Sequence, residues 1–540
     1  MQLTLNGISD RTAWEKAGII LPSYDVEAAK AKAIEAPRWV HFGIGNIFRI
    51  FIGGIADGML ENGSLDRGLT CVETFDFDVV DKIYKPYDNL GLSVILRSDG
   101  TREYRVLGSM AEAIAAKNDD PAQWARLKEI FKSRDLQIVS FTITEKGYAL
   151  KNAEGSFFPF VQADIDAGPE KAGCAMAILT AMLYERYIDS KTPVALVSMD
   201  NCSQNGFLLK NSIRTMAEEW EKKGYVSADF VAWVTDEANV SCPCTMIDKI
   251  TPRPSPDIAN DLEELGVENM QPVVTSKRTY IAPFINAEGP QYLVIEDRFP
   301  NGRPALEKGN GVYMGDYDTV NKSERMKVTC CLNPTHTATG PIGVVLGIDL
   351  FADMLERYPV MMKMGRTLVY KEGMDVVPDP KILSPKAFAD ELFEDRFPNK
   401  YLGDTNLRLA TDSSQGVGVR FGETVKAYVK KYGTASMLTA LPLGIAGWLR
   451  YLLGIDDAGN TYELAPDPLA PVIHDALSDV VIGQPDTLKD QLRPILSNEN
   501  IFFTDLYAAG LGEKIEDMFR EMIAGKGATL ATVEKYMATV

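Results

Sequence analysis

Lys327, Asn333 and His336 fall within one ten-residue stretch, Lys-Val-Thr-Cys-Cys-Leu-Asn-Pro-Thr-His, of a chain that has only three histidines. These are the groups that oxidation of a carbinol needs: a proton acceptor of suitable pKa, and donors for the oxygen as it becomes an alkoxide. A lysine partly withdrawn from water serves as the base, because burial depresses its pKa. Asn333 then donates to the oxygen and His336 orients the hydroxyl. The segment also has a plainer reading. Asn333-Pro334 is a good helix start, a capping residue followed by proline at the first helical position. His336 would then be a satisfied, half-buried histidine and Lys327 a surface lysine. On its own the segment fits the plainer reading better.

A second constellation lies near the start of the chain. In Gly43-Ile-Gly45, glycine permits a tight strand-to-helix turn and a close approach of the backbone to a pyrophosphate. The helix that begins at Asn46 would offer free N–H groups and the positive end of its dipole. Arg49 stands within the first turns, where it would add a cation beside the phosphates. The third glycine of the usual dinucleotide fingerprint is missing, and Phe48 stands in its place. Glu73 ends the next apolar run, with Asp76 and Asp78 just beyond. A carboxylate there accepts from ribose hydroxyls and repels a 2′-phosphate, which favours NAD over NADP. In the plainer reading, at least two of these three acids are solvated loop residues.

The elements that would position these groups follow from the hydrophobic pattern. Arg38–Gly43 is an apolar burst ending in glycine, Asn46–Asn62 has helical periodicity closed by Gly63, and Leu69–Glu73 is a second short strand. A hairpin is expected around Ser98-Asp-Gly100. Helices are expected over 121–132, 170–188 and 205–223, and buried strands over 136–142 and 194–198. Strands alternating with helices predict a largely parallel sheet covered on both faces. Two strand ends, Ser140–Tyr148 and Ser198–Gly206, turn polar where such a sheet binds ligands. From Val320 onward amphipathic helices dominate. The pattern predicts two domains, residues 1–290 and 291–540, with a boundary near 285–295 and a mainly helical second domain.

Composition narrows the function. With 56 basic against 75 acidic residues the formal charge is −19, which argues against nucleic acid or an anionic membrane as partner. The stretch 435–454 is broken by Pro442 and Arg450 and is too short to span a bilayer. The opening segment has no basic region followed by an apolar core, so no secretory leader is expected in it. The seven cysteines include no CxxC pair, which suits reduced thiols and a cytoplasmic protein. With so few histidines, no metal site is expected.

Several of these segments together resemble the polyol-specific long-chain dehydrogenases, the mannitol dehydrogenase family, from about residue 37 to 520. The motifs are HFGIGNIFR at 41–49, TITEKGY at 142–148, DNCSQNG at 200–206, MIDKITP at 246–252, IEDRFPNGRP at 295–304 and LNPTHT at 332–337. KVTCCLNPTHT is most similar to the branch that reduces hexuronates, the D-mannonate oxidoreductases or fructuronate reductases. The resemblance implies a metal-independent NAD(P) oxidoreductase with a Rossmann-type N-terminal domain, a helical C-terminal domain and the site between them. It makes Lys327 the general acid/base, Asn201 and Asn333 the pair that cradles the substrate oxygen, and His336 the positioning histidine. Asp248 and Glu145 match polar positions near the substrate. Arg408 is the best match to a substrate-binding arginine, with Arg420 second. Asn46 and Thr144 join Gly43, Gly45, Arg49, Glu73 and Asp76 as cofactor-binding positions.

One departure carries a structural expectation. Six residues separate Lys327 from Asn333, against five in the mannitol 2-dehydrogenases. On a regular helix the extra residue swings Lys327 by about 100°. The lysine can therefore face Asn333 and His336 only across a kink or π-bulge within 328–334, with Pro334 as the expected cause. The reading is thus an NAD-dependent oxidoreductase interconverting D-mannonate and D-fructuronate. A mannitol- or arabinitol-type polyol dehydrogenase, a tagaturonate reductase and an NAD-binding regulator are the alternatives. A carboxylate-bearing substrate requires a guanidinium, from Arg408 or Arg420. Oligomeric state is left open.

Overall fold

In the computed structural model, which describes residues 1–152 and 154–540, the chain divides into two compact units, Met1–Val320 and Asn321–Val540. The boundary lies beyond the expected 285–295 because the intervening strands belong to the first unit. Phe284–Glu288 pairs with Gly91–Leu96, and Val312–Gly315 pairs with Tyr292–Glu296.

The first unit is built on six strands: β1 (Trp39–Phe42), β2 (Leu69–Glu73), β3 (Met110–Ala115), β4 (Ile138–Phe141), β5 (Val194–Ser198) and β6 (Val240–Ser241). They hydrogen-bond in the order β3-β2-β1-β4-β5-β6, and every pair is parallel. This is the doubly wound dinucleotide-binding order, whose strand order reverses between β1 and β4. β1, β2, β4 and β5 are buried at every residue, as a parallel sheet covered on both faces requires. Alternation sorts their side chains. Val40 and Phe42 join Val139, Phe141 and the helix Pro121–Lys132 on one face, while Trp39 joins Phe51, Ile55 and Met59 on the other. Each large apolar side chain so buried contributes about 1.5–3 kcal/mol. Among these helices are α1 (Gly53–Glu61), α2 (Ala175–Asp189) and α3 (Asn205–Lys222). The expected hairpin forms between Gly91–Leu96 and Arg102–Leu107.

The second unit has no named strand among its described residues. Its central pair is α4 (Leu332–Val345) and α5 (Ala440–Tyr451). Glycine lets them approach: a Cβ on Gly444 would lie 2.6 Å from the Ala338 Cβ. Glu372 caps α5 from outside, accepting from the N–H groups of Thr439 (2.6 Å), Ala440 (2.8 Å) and Leu441 (2.8 Å). No described helix is long and apolar enough to cross a membrane.

Candidate active site

The Gly43–Gly45 turn sits at the carboxyl end of β1, beside the reversal of strand order. Gly43 has φ +86°, and a Cβ there would lie 2.5 Å from the Thr142 carbonyl at the end of β4, so no other residue fits. His41 and Thr142 lock this junction. The imidazole reaches Ser140 Oγ (2.6 Å) and Thr142 Oγ1 (2.9 Å), and the Thr142 hydroxyl donates to the Gly43 carbonyl (2.7 Å). Burial holds the His41 pKa well below its usual value.

Gly45 is the reverse of Gly43: nothing approaches within 4 Å of the position its Cβ would occupy. Next to it, the buried Asn46 Oδ1 has no hydrogen-bond partner. An open cradle and an orphaned acceptor at a helix start fit a dinucleotide there. Glu73 closes the loop after β2. Its Oε1 accepts from the N–H groups of Thr74 (3.0 Å), Phe75 (2.9 Å) and Asp76 (3.2 Å), and its Oε2 faces the Ile44 N–H at 3.4 Å. Burial pushes this carboxyl up against those four donors. Asp76 is also buried. It accepts from the Thr275 hydroxyl (2.6 Å), and its Oδ1 has no partner. The reading of two or more solvated acids is therefore corrected, since Glu73 and Asp76 are both interior.

Arg49 is corrected as well. A π-helical turn over Phe48–Ile52 carries it into the interior, where it donates to the carbonyls of Ala282 (2.7 Å) and Pro283 (2.6 Å). It fastens this helix to the segment just before the strand Phe284–Glu288, and those two carbonyls occupy the guanidinium that was expected beside the phosphates. Thr144 and Glu145 are exposed at the start of the short helix Glu145–Tyr148.

Asn201 lies on the turn after β5, and a buried network that sequence reasoning missed fixes that turn. Tyr148 donates to Asp200 and its oxygen accepts from the Ser198 hydroxyl (2.9 Å), and Asp200 Oδ1 accepts from the Cys202 N–H (3.0 Å). Asn205 Nδ2 donates to the carbonyls of Ser198 (3.2 Å) and Asp200 (3.3 Å) and to Thr245 Oγ1 (3.0 Å). The signal was available, because Tyr148 ends TITEKGY and Asp200 and Asn205 flank Asn201 in DNCSQNG. Asp248 is buried at the end of the strand Thr245–Asp248.

In the second unit, the helix carrying Lys327 is interrupted as the spacing requires. Met326–Cys330 is π-helical, Cys331 breaks the helix at φ −124°, ψ −84°, and α4 starts at Leu332. The distortion lies mostly before Pro334, which occupies the first turn of α4. The N–H groups there have no intrahelical partner, so the proline costs no bond. Lys327 is 8% exposed, so it is not a surface lysine. Asn333, His336 and Thr337 stand at i, i+3 and i+4 on one face of α4. The His336 ring packs against Phe351 (4.9 Å) and Phe397 (5.2 Å), which also touch each other. Asn333 Oδ1 is buried without a partner.

The two arginines differ sharply. Arg408 has 59% of its side chain exposed and pairs with Asp404 one turn away. Arg420, in the π-helical turn Gly418–Gly422, donates from Nη1 to Thr337 Oγ1 (2.8 Å), and its Nε is buried without a partner. Burial lowers its pKa. This half-buried, under-partnered guanidinium thus lies on the Asn333–His336 face. Of the two candidates, Arg408 is the exposed one and Arg420 the one that meets α4.

Two family models match the chain, the mannitol dehydrogenase Rossmann domain over residues 37–308 and the mannitol dehydrogenase C-terminal domain over 319–523. The D-mannonate oxidoreductase of Thermotoga maritima is 46% identical over 537 residues, 99% of each chain. Among solved structures, substrate-free D-sorbitol dehydrogenase superposes with TM-score 0.78 at 25% identity, covering 96% of this chain and 98% of that one. The Pseudomonas fluorescens mannitol 2-dehydrogenase, in a ternary complex with NAD and D-mannitol, superposes with TM-score 0.73 at 24% identity over all of both chains. The protein therefore belongs to the mannitol dehydrogenase family of oxidoreductases.

Proposed function

We propose that the protein interconverts D-mannonate and D-fructuronate with NAD, using Lys327 as general acid/base. The relative sharing 46% of its sequence over almost the whole length is named for this sugar acid. The structural observation that carries the acid is Arg420, a half-buried guanidinium beside Thr337 whose Nε is itself buried and unpartnered. A neutral polyol gives such a group only uncharged hydroxyl acceptors, whereas a carboxylate also offsets its charge.

Bound NAD supplies the hydride acceptor, the one chemical capacity the side chains lack. The open space at Gly45, the Asn46 amide and Glu73 would hold it, with Asp76 three residues beyond Glu73 and Thr144 two beyond Thr142, which bonds the Gly43 carbonyl. In the oxidation direction, Lys327 Nζ takes the hydroxyl proton and returns it on reduction. Asn333 and Asn201 donate to the oxygen as negative charge grows there, and His336, braced against two phenylalanines, fixes the neighbouring hydroxyl. Asp248 and Glu145 complete the polar lining in this proposal. The test is NADH consumption with D-fructuronate, D-tagaturonate and D-fructose. Fastest turnover with fructuronate supports the proposal. Faster turnover with fructose reassigns the protein to the polyol enzymes, and NADH binding without any turnover makes it a regulator.

A further inference from the structure

The loop after β2 is clamped by a hairpin from much later in the chain. Val273–Val274 pairs antiparallel with Tyr280–Ile281, and the tip between them is Thr275-Ser-Lys-Arg-Thr279. Two hydrogen bonds tie the tip to the loop: Thr275 Oγ1 to Asp76 Oδ2 (2.6 Å) and the Ser276 N–H to Asp78 Oδ2 (2.8 Å). Lys277 thereby sits over the Phe75 ring, with Nζ 5.2 Å from the ring centroid. Phe75 is nonetheless 66% exposed, the most exposed of the large apolar side chains. Leaving a phenyl ring in water costs free energy, and neither the core nor the hairpin relieves it. Its backbone is fixed all the same, since the Phe75 N–H donates to Glu73 Oε1 (2.9 Å).

Position gives the ring a use. Glu73 ends β2, where a doubly wound sheet meets the ribose of a dinucleotide, so the base beyond that ribose falls on the loop that follows. We propose that Phe75, backed by Lys277, is the stacking platform for the adenine of the cofactor, and that the hairpin 273–281 is the strap that holds it. The proposal rests on the NAD reading above and adds its adenosine subsite. A purine stacks on a phenyl face, and the ammonium held against the ring by cation–π attraction keeps the phenyl in one orientation. The geometry of the loop is set from both sides, by Glu73 below and the hairpin above.

Calorimetric titration with AMP, which carries the adenosine end alone, tests this apart from turnover. Phe75→Ala should weaken AMP and NADH about tenfold, Phe75→Trp should restore both, and Lys277→Ala should cost about threefold. The KM for the sugar acid should move less than twofold in Phe75→Ala. AMP affinity within twofold of the native protein in Phe75→Ala overturns the platform while leaving the NAD reading intact. A native protein that binds neither AMP nor NADH overturns both.

Discussion

At the scale of single residues, the structure separates groups that stand alike in the sequence. Lys327 is buried and Arg420 half-buried beside Thr337, while Arg408 is an exposed partner of Asp404. Exposed ion pairs contribute little, so Arg408→Ala should leave the KM for every substrate within about twofold. Lys327→Ala should lower kcat by two to four orders of magnitude, roughly the worth of a positioned general base. NADH affinity should not change in that variant, and near-native kcat with tight NADH binding would remove the lysine from the mechanism. The sequence could name the lysine, asparagine and histidine because short motifs carry them. It could not rank the arginines, because ranking depends on which guanidinium the fold buries, and burial is set by residues far away in the chain. Arg49 shows the same limit. Its register suits a phosphate, but it lies buried in a π-helical turn and donates to the carbonyls of Ala282 and Pro283.

Among the elements, strands and helices were legible wherever one pattern held over several residues. The helix expected over 121–132 is found as Pro121–Lys132, with Asp120 accepting from the N–H groups of Ala122 and Gln123. The helix expected to start at residue 170 starts at Ala175, because Pro169–Lys171 forms a separate tight turn. The kink before Asn333 followed from a count of residues, while its location over Met326–Cys331 did not. α1 carries a titratable feature that no pattern signals. Asp57 is buried, accepts from the Tyr24 hydroxyl (2.6 Å) and the Gly108 N–H (2.9 Å), and burial pushes its pKa up to about 6. Tyr24, Arg105 and Glu61 are the other titratable groups acting on it. A carboxyl with a raised pKa binds its proton more tightly in the folded state. Its stabilising contribution is complete below about pH 4 and is lost as pH rises through about 6, by about 3 kcal/mol at most. The Tm of the native protein should therefore fall relative to that of Asp57→Asn between pH 4 and 7. Parallel Tm curves would contradict this.

For the whole molecule, the charge of −19 sets the problem that the site must solve, which is to hold anionic ligands inside an acidic protein. In the sequence, the groups that could do so are the helix start at Gly45, Arg49, Lys327, Arg408 and Arg420. The structure withdraws Arg49 and Arg408, leaving a helix start in one unit and Lys327 with Arg420 in the other. The division into a doubly wound unit and a helical unit was legible from alternation of strand and helix. The exact boundary was not, because the strands Tyr292–Glu296 and Val312–Gly315 extend a sheet that starts at Thr245–Asp248 and so belong to the first unit. The central claim is that this molecule acts on a sugar acid because it holds its carboxylate on Arg420. The most direct test is the KM of the native protein and of Arg420→Ala for D-fructuronate and for D-fructose, with NADH saturating. Loss of a charge-assisted pair should raise the KM for fructuronate about ten- to hundredfold and that for fructose less than threefold. An equal rise for both substrates, or none for either, would contradict the account.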